Sequence, residues 1–237
     1  LILRLDGKAF HSFTKGMKKP FDERLYEIFK ETLKYLCENV DGVKIGYYQS
    51  DEISLVLFND STKINKQYWF DNKVEKILTI ATSICTAKFN SEYNKFGQFG
   101  AKEFGFFDAR GFVVDTLDEV QEYLEWRVND SVKNSVYLYA FDKVKDNSNP
   151  TKALMNMSVK EKIDLLKNEY GVDYYNFESK YRKGIFYSKE YTTFVVKKEQ
   201  YPQHLKEDKI VTRRKFKLHE TFDNVADIVD HFRTKGE

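Results

Sequence analysis

Two aspartates are placed where they could do chemistry. Asp6 precedes Gly7 at the end of an alternating apolar run over residues 1–6, and Asp51 stands between Ser50 and Glu52 at the tip of a later pair of apolar runs. Two carboxylates brought side by side repel, and neither stays ionised cheaply without a cation between them. Magnesium suits such a gap because it takes oxygen ligands and keeps water and phosphate in its shell. A pair of these ions would activate an attacking oxygen and stabilise a leaving pyrophosphate. The same residues are also good turn formers. Spacing alone therefore leaves both readings open, with the turn reading the more common use of these residue types.

The elements that must position the two carboxylates can be read from periodicity. Residues 1–6 read as a strand running into a turn at Asp6-Gly7. Apolar residues at Phe21, Leu25, Ile28, Phe29, Leu33, Leu36 and Val40 keep helical spacing, with Pro20 suited to the first turn. Residues 43–48 and 52–58 read as a hairpin around Gln49-Ser50-Asp51. Phe70, Val74, Ile77, Leu78, Ala81, Ile84 and Cys85 mark a second helix, and residues 104–114 a further strand. A capping box at Thr116 and Glu119 opens a third helix to about Phe141, and another at Ser158 and Glu161 opens a shorter one ending near Gly171. A second hairpin is expected from residues 184–187 with 192–197.

The order strand, helix, strand, strand, helix, strand is the ferredoxin-like pattern, an α+β fold whose antiparallel sheet carries helices on one face. Polymerase palms use it, as do many unrelated proteins, so the pattern decides no function. The polar, turn-rich stretch 146–150 divides a core, 1–145, from a C-terminal α/β lobe, 146–237.

The chain has 237 residues, 41% of them hydrophobic and 16% aromatic, enough for a sizeable core. Its 39 Lys and Arg against 37 Asp and Glu exclude a simple polycation but allow a basic face opposite an acidic site. Cys37 and Cys85 lie in amphipathic stretches and read as reduced core residues, consistent with a cytoplasmic protein. His11, His204, His219 and His231 keep no zinc-ligand spacing. No apolar run approaches the ~20 residues that span a bilayer, so no membrane partner is expected. The first residue, Leu1, implies a missing N-terminus.

Six blocks, in order, narrow the field. They are Arg4-Leu5-Asp6-Gly7-Lys8-Ala9-Phe10-His11, Lys19-Pro20-Phe21-Asp22, Tyr48-Gln49-Ser50-Asp51-Glu52-Ile53-Ser54, Phe107-Asp108-Ala109-Arg110, Trp126-Arg127 with Asp130 and Asn134, and Tyr181-Arg182-Lys183-Gly184. Together they resemble the tRNA-His guanylyltransferase family, which includes Thg1-like 3′–5′ polymerases. The resemblance implies a palm core in which Asp6, Asp51 and the Gly7 carbonyl hold two Mg2+ ions, with Glu52 assisting as an outer-shell carboxylate. It implies that Asp6, Gly7, Lys8, Ala9, Phe10 and His11 surround a GTP, ATP or other nucleoside triphosphate together with Ser50 and Asp51. Lys19 and Asp22 match positions in the nucleotide pocket, and Lys73, Lys76 and Arg110 match basic positions near phosphates. Arg127, Asn134, Arg182 and Lys183 are the expected tRNA contacts, and the family's usual assembly is a homotetramer. A basic run over 209–217 reads either as an RNA-backbone strip or, more often for such runs, as a solvated face. Tyr174, Tyr175 and Phe177 read equally as base-stacking or core residues.

The implied chemistry has two steps: activation of a 5′-monophosphate on tRNA by a triphosphate, then attack by the 3′-hydroxyl of an incoming nucleotide. Eukaryotic family members carry a His-Ile-Asn-Asn run where this sequence has Val132-Lys133-Asn134-Ser135. The departure resembles the branch that repairs 5′-truncated tRNAs by copying the opposite strand, with single guanylate addition to tRNA-His as the alternative.

Overall fold

The computed structural model describes residues 1–58, 69–200, 203 and 207–233; His204 lies outside them. In chain order the elements are β1 (Ile2–Gly7), α1 (Phe10–Phe13), α2 (Glu23–Asn39), β2 (Val43–Gln49), β3 (Glu52–Leu57), α3 (Val74–Lys95), β4 (Phe107–Phe112), α4 (Leu117–Val144), α5 (Pro150–Leu154), α6 (Val159–Tyr170), α7 (Ser179–Lys183), β5 (Ile185–Val196), β6 (Lys209–His219) and α8 (Ala226–Arg233). The strands form one antiparallel sheet in the order β4-β1-β3-β2-β5-β6. Its first four strands with α2 and α3 make the ferredoxin-like core.

Strand alternation sorts the sheet into two faces. Leu3, Leu5, Ile53 and Leu55 pack against Phe29, Leu33 and Leu36 of α2 and Ile77, Ala81, Cys85 and Phe89 of α3. On the other face, Ile2, Ile45, Tyr47, Val56 and Phe186 meet Val120, Leu124 and Val128 of α4 and Ile228 and Val229 of α8. The core helices thus lie on one face as expected, and α4 and α8 add a layer on the other. The outer half of α4 continues past the sheet into a third cluster, where Val136, Tyr139 and Ala140 pack with Leu166 of α6 and Tyr174. Both cysteines are free and buried.

Local signals set most helix ends. Both capping boxes form, and Gly171 closes α6 at φ 65°. Helix α2 starts at Glu23 rather than around Pro20, because Asp22 is the cap: its carboxylate accepts from the Arg24 N–H at 3.1 Å. Phe70 precedes α3, and α4 runs on to Val144.

One expected hairpin is corrected. Residues 184–187 and 192–197 do not pair with each other; they belong to a single strand, β5, whose partner is β6, from Phe186↔His219 to Val196↔Lys209. The polar Ser188-Lys189-Glu190 stretch resembles a turn in sequence, but it is where β5 leaves the sheet: β2 pairs it only as far as Ser188. Beyond that point β5 and β6 continue as a two-stranded ribbon.

Candidate active site

The β1–β3 pairing carries Asp6 opposite Glu52, and the Gly7 N–H closes the edge onto the Asp51 carbonyl at 3.0 Å. Asp51 occupies the two-residue turn after β2, entered through Ser50 at φ 54°. Burial, and next the Asp6 charge, push the Asp51 carboxyl up to about 6. Two carboxylates this close, in a partly desolvated edge, form a donor set that fits a divalent cation. Among the described residues no group of three His, Cys, Asp or Glu side chains is arranged to hold a metal. The family resemblance implies that an ion here would rest on the two carboxylates and the Gly7 carbonyl, with its other positions taken by phosphate and water, as magnesium prefers.

Gly7 has a steric reason. A Cβ there would sit 2.4 Å from the Phe10 ring, which is fixed in the core among Phe13, Phe29, Phe89 and Phe107. That packing turns the chain sharply after β1, through Ala9 at φ 56°, into the single turn of α1. The Lys8 N–H is taken by the Phe106 carbonyl at 2.8 Å. The backbone N–H groups of Gly7 and Lys8 are thus both already paired.

A cleft of about 330 Å³ opens beside this edge and is lined by His11, Lys19, Asp22, Ser50 and Asp51 among others. With Phe10, six of the expected nucleotide residues thus converge on one cavity. Its far wall comes from α7, through Lys180 and Tyr181. Phe21 stacks on Tyr181 with ring centres 4.8 Å apart, and Tyr26 meets the same ring edge-on at 5.8 Å. The sequence points to nucleotide and tRNA contacts from the C-terminal lobe but not to Lys180 or Tyr181 in particular, although Phe21 and Tyr181 both lie within the matching blocks.

Other expected residues lie elsewhere. Lys73 and Lys76 are at the start of α3, at the opposite end of the sheet from Asp6: neighbouring Val74 and Ile77 border a hollow with Leu1, Leu57 and Val113. Within this chain they do not reach the carboxylate edge. Arg110 is exposed in mid-strand on β4, opposite Arg4.

The Arg127 guanidinium is not presented to RNA. It is buried against the sheet, bidentate to Glu52 at 2.7 Å for each bond, and 3.1 Å from Asp130. Glu52 is likewise buried, not a solvent-facing hairpin residue; the Arg4 Nε also lies 2.8 Å from it, without hydrogen-bond alignment. Arg182 donates to the Phe177 carbonyl at 2.8 Å, and the Lys183 ammonium to the carbonyls of Phe222 and Asp223, each at 3.3 Å. Asn134 is exposed on α4. Tyr174 and Phe177 pack in the third core cluster, while Tyr175 is exposed.

The family model described as tRNAHis guanylyltransferase matches residues 1–115, and that for the Thg1 C terminal domain matches 118–230. The tRNA(His) guanylyltransferase of Candida glabrata is 31% identical over 195 residues, covering 78% of this chain and 80% of the relative. The chain belongs to the tRNA(His) guanylyltransferase family. Members of this family are nucleotidyltransferases. Among solved structures, a bacterial Thg1-like protein in complex with ATP matches with a TM-score of 0.71 and 37% identity, covering 79% of this chain and 78% of that one. A bacterial Thg1-like protein in complex with GTP matches with a TM-score of 0.68 and 30% identity over 98% of this chain and 86% of that one. The family's antiparallel α+β fold is thus shared. Among the described residues no helix is long and apolar enough to cross a membrane.

Proposed function

We propose that this chain is a magnesium-dependent 3′–5′ nucleotidyltransferase that adds nucleotides to the 5′ end of tRNA, repairing truncated ends against the opposite strand. The observation that carries it is Asp51, electrostatically coupled to Asp6, in the lining of a cleft that also gathers His11, Lys19, Asp22 and Ser50. When bound, magnesium would neutralise phosphate charge and polarise the reacting oxygens. The chain's own part is positioning. The first turn of α1 and Ser50 hold phosphate oxygens, Lys19 and Asp22 border the nucleotide, and Glu52 fixes the turn that carries Asp51 through its pair with Arg127.

The core, 1–145, supplies the carboxylates. The lobe, 146–237, contributes cleft and tRNA contacts through α7 and the β5–β6 ribbon, with Asn134, Arg182 and Lys183 bordering the RNA. A cytoplasmic homotetramer is the proposed working form. The bacterial relatives solved with ATP and with GTP support triphosphates as substrates. A second reading, addition of one guanylate to tRNA-His, is favoured by curated relatives that bear that name.

Asp6→Ala or Asp51→Ala should lower nucleotide addition to a 5′-truncated tRNA by at least about a thousandfold, with the circular dichroism spectrum unchanged. Near-normal turnover by either folded variant would sink the assignment.

A further inference from the structure

Helix α4 presents a large aromatic ring to solvent beside the carboxylate edge. Trp126 is 54% exposed, yet it is firmly held. The Arg127 guanidinium lies over its ring at 4.4 Å, and the Tyr123 ring meets it at 6.1 Å. Arg127 is itself locked by its two bonds to Glu52, the residue that faces Asp6 across the β1–β3 pairing. Tyr123 shares a 2.7 Å hydrogen bond with the Ser54 hydroxyl, and its ring meets Phe112 of β4 edge-on at 5.2 Å. A ring backed on one face by a fixed guanidinium turns its other face to water.

A nucleotidyltransferase needs a substrate on each side of its carboxylates, and α4 separates two sides here. Ser131 lines the cleft. Trp126, five residues earlier, points roughly 140° away round the helix axis. Its contact with Tyr123, which meets Phe112, sets it on the β4 side. There strand alternation gathers Arg4, Asp6, Asp108 and Arg110 on the sheet face opposite Leu3 and Leu5. Lys133 follows Trp126 two turns later on the same stripe of α4 and is exposed as well. This flank offers both signs of charge and one open ring face, which suits a flat base joined to a charged backbone. Stacking accepts any base, because every base has a π-face. That tolerance fits an RNA end whose base differs from one tRNA to the next. We propose that Trp126 is a positioning residue whose open face stacks the 5′-terminal base of the RNA and so holds its phosphate at Asp6 and Asp51. The inference rests on 5′-end addition as the function, and it goes beyond that reading by naming the group that seats the RNA end.

The test uses the full chain and a 5′-monophosphorylated tRNA lacking its first nucleotide, beside the same tRNA with an abasic 5′-terminal residue. The truncated tRNA should quench the part of the protein's fluorescence that Trp126→Phe removes. The abasic-ended tRNA and a triphosphate alone should not. Trp126→Ala should raise KM for the truncated tRNA about tenfold, the scale of one base stacked on an aromatic side chain, and change KM for the triphosphate less than twofold. Trp126→Phe should recover most of the loss, and on the abasic-ended tRNA Trp126→Ala should match the unsubstituted chain. An unchanged KM for Trp126→Ala, or absent quenching, would overturn the proposal. A loss of equal size on the abasic-ended tRNA would do the same, leaving the ring as a prop for Arg127. Emission shielded from acrylamide in the protein alone and exposed on dilution would assign Trp126 to a contact between copies, and would also overturn it. If the unsubstituted chain adds no nucleotide, the function proposed above falls, and the quenching, which needs no turnover, decides the stacking by itself.

Discussion

Glu52 and Arg127 form the most enclosed ion pair near the site, with side chains 3% and 4% exposed. A buried pair is weak evidence for stability, but removing one partner strands the other charge. Arg127→Met should therefore cost about 3 kcal/mol in denaturant unfolding, while the double variant with Glu52→Gln should recover part of that loss. Strict additivity of the two single effects would show that the pair is not coupled. Asp22 gives a residue-level pH prediction. Burial raises its carboxyl, but hydrogen bonds from the Arg24 side chain and from the Lys18 and Arg24 N–H groups outweigh this and hold it below the usual range. A depressed folded value means the stabilisation is present above the unfolded value, about 3.9, and fades as the pH falls below it. Asp22→Asn keeps the α2 cap but removes the titration, so its melting temperature should fall less than that of the unsubstituted chain between pH 5 and pH 3. Identical acid limbs would refute this. Asp6 and Asp51 were legible because each sits in its own turn signal. The Glu52–Arg127 pair was not, because the two residues lie 75 positions apart and a helical block does not declare which of its residues will face the sheet.

At the scale of elements, legibility followed the range of the signal. The α6 cap and stop, Ser158 and Gly171, bracket a single 12-residue helix and were readable. The β5–β6 ribbon is specified by cross-strand register, which pairs residues from 13 positions apart at Val196↔Lys209 to 33 at Phe186↔His219. Once the register is known, the basic run gains an orientation. Alternation puts Lys209, Arg213, Lys215 and Lys217 on one face of β6, and Phe194 joins them from β5, with Arg213 and Lys215 above its ring at 5.6 and 5.4 Å. At a rise of ~3.3 Å per residue, Val196 stands roughly 35 Å along the strand from Ile185, beside the cleft. That spacing suits an anchor for the body of an RNA rather than for its reacting end. Arg213→Ala with Lys215→Ala should weaken tRNA binding and flatten its salt dependence, since each lost phosphate contact removes a counterion-release contribution. Triphosphate affinity should not change. A tRNA affinity unaffected at every salt concentration would return the run to the solvated surface.

For the whole molecule, one sheet unites parts that the sequence divides: β2 of the core lies beside β5 of the C-terminal part, and the cleft is closed by α7 against the α1–α2 segment. The stretch Val132-Lys133-Asn134-Ser135 lies on α4 between these parts. Ser135 is buried and bonded to the Tyr174 hydroxyl at 2.7 Å, whereas Lys133 and Asn134 are exposed. Half of the stretch is thus framework, which leaves Lys133 and Asn134 to meet an RNA. A surface this small is poorly suited to enforcing a single tRNA identity, and base pairing can select the incoming nucleotide instead. A tRNA lacking its first 5′ nucleotide should then be extended with whichever base complements the opposite strand. Exchanging that template base should exchange the nucleotide incorporated, across several tRNAs. The measurement is a 5′-end extension assay on a panel of intact and truncated tRNAs, with the four triphosphates offered one at a time. Incorporation of G alone whatever the template base, confined to full-length tRNA-His, would overturn templated repair and establish single guanylate addition in its place.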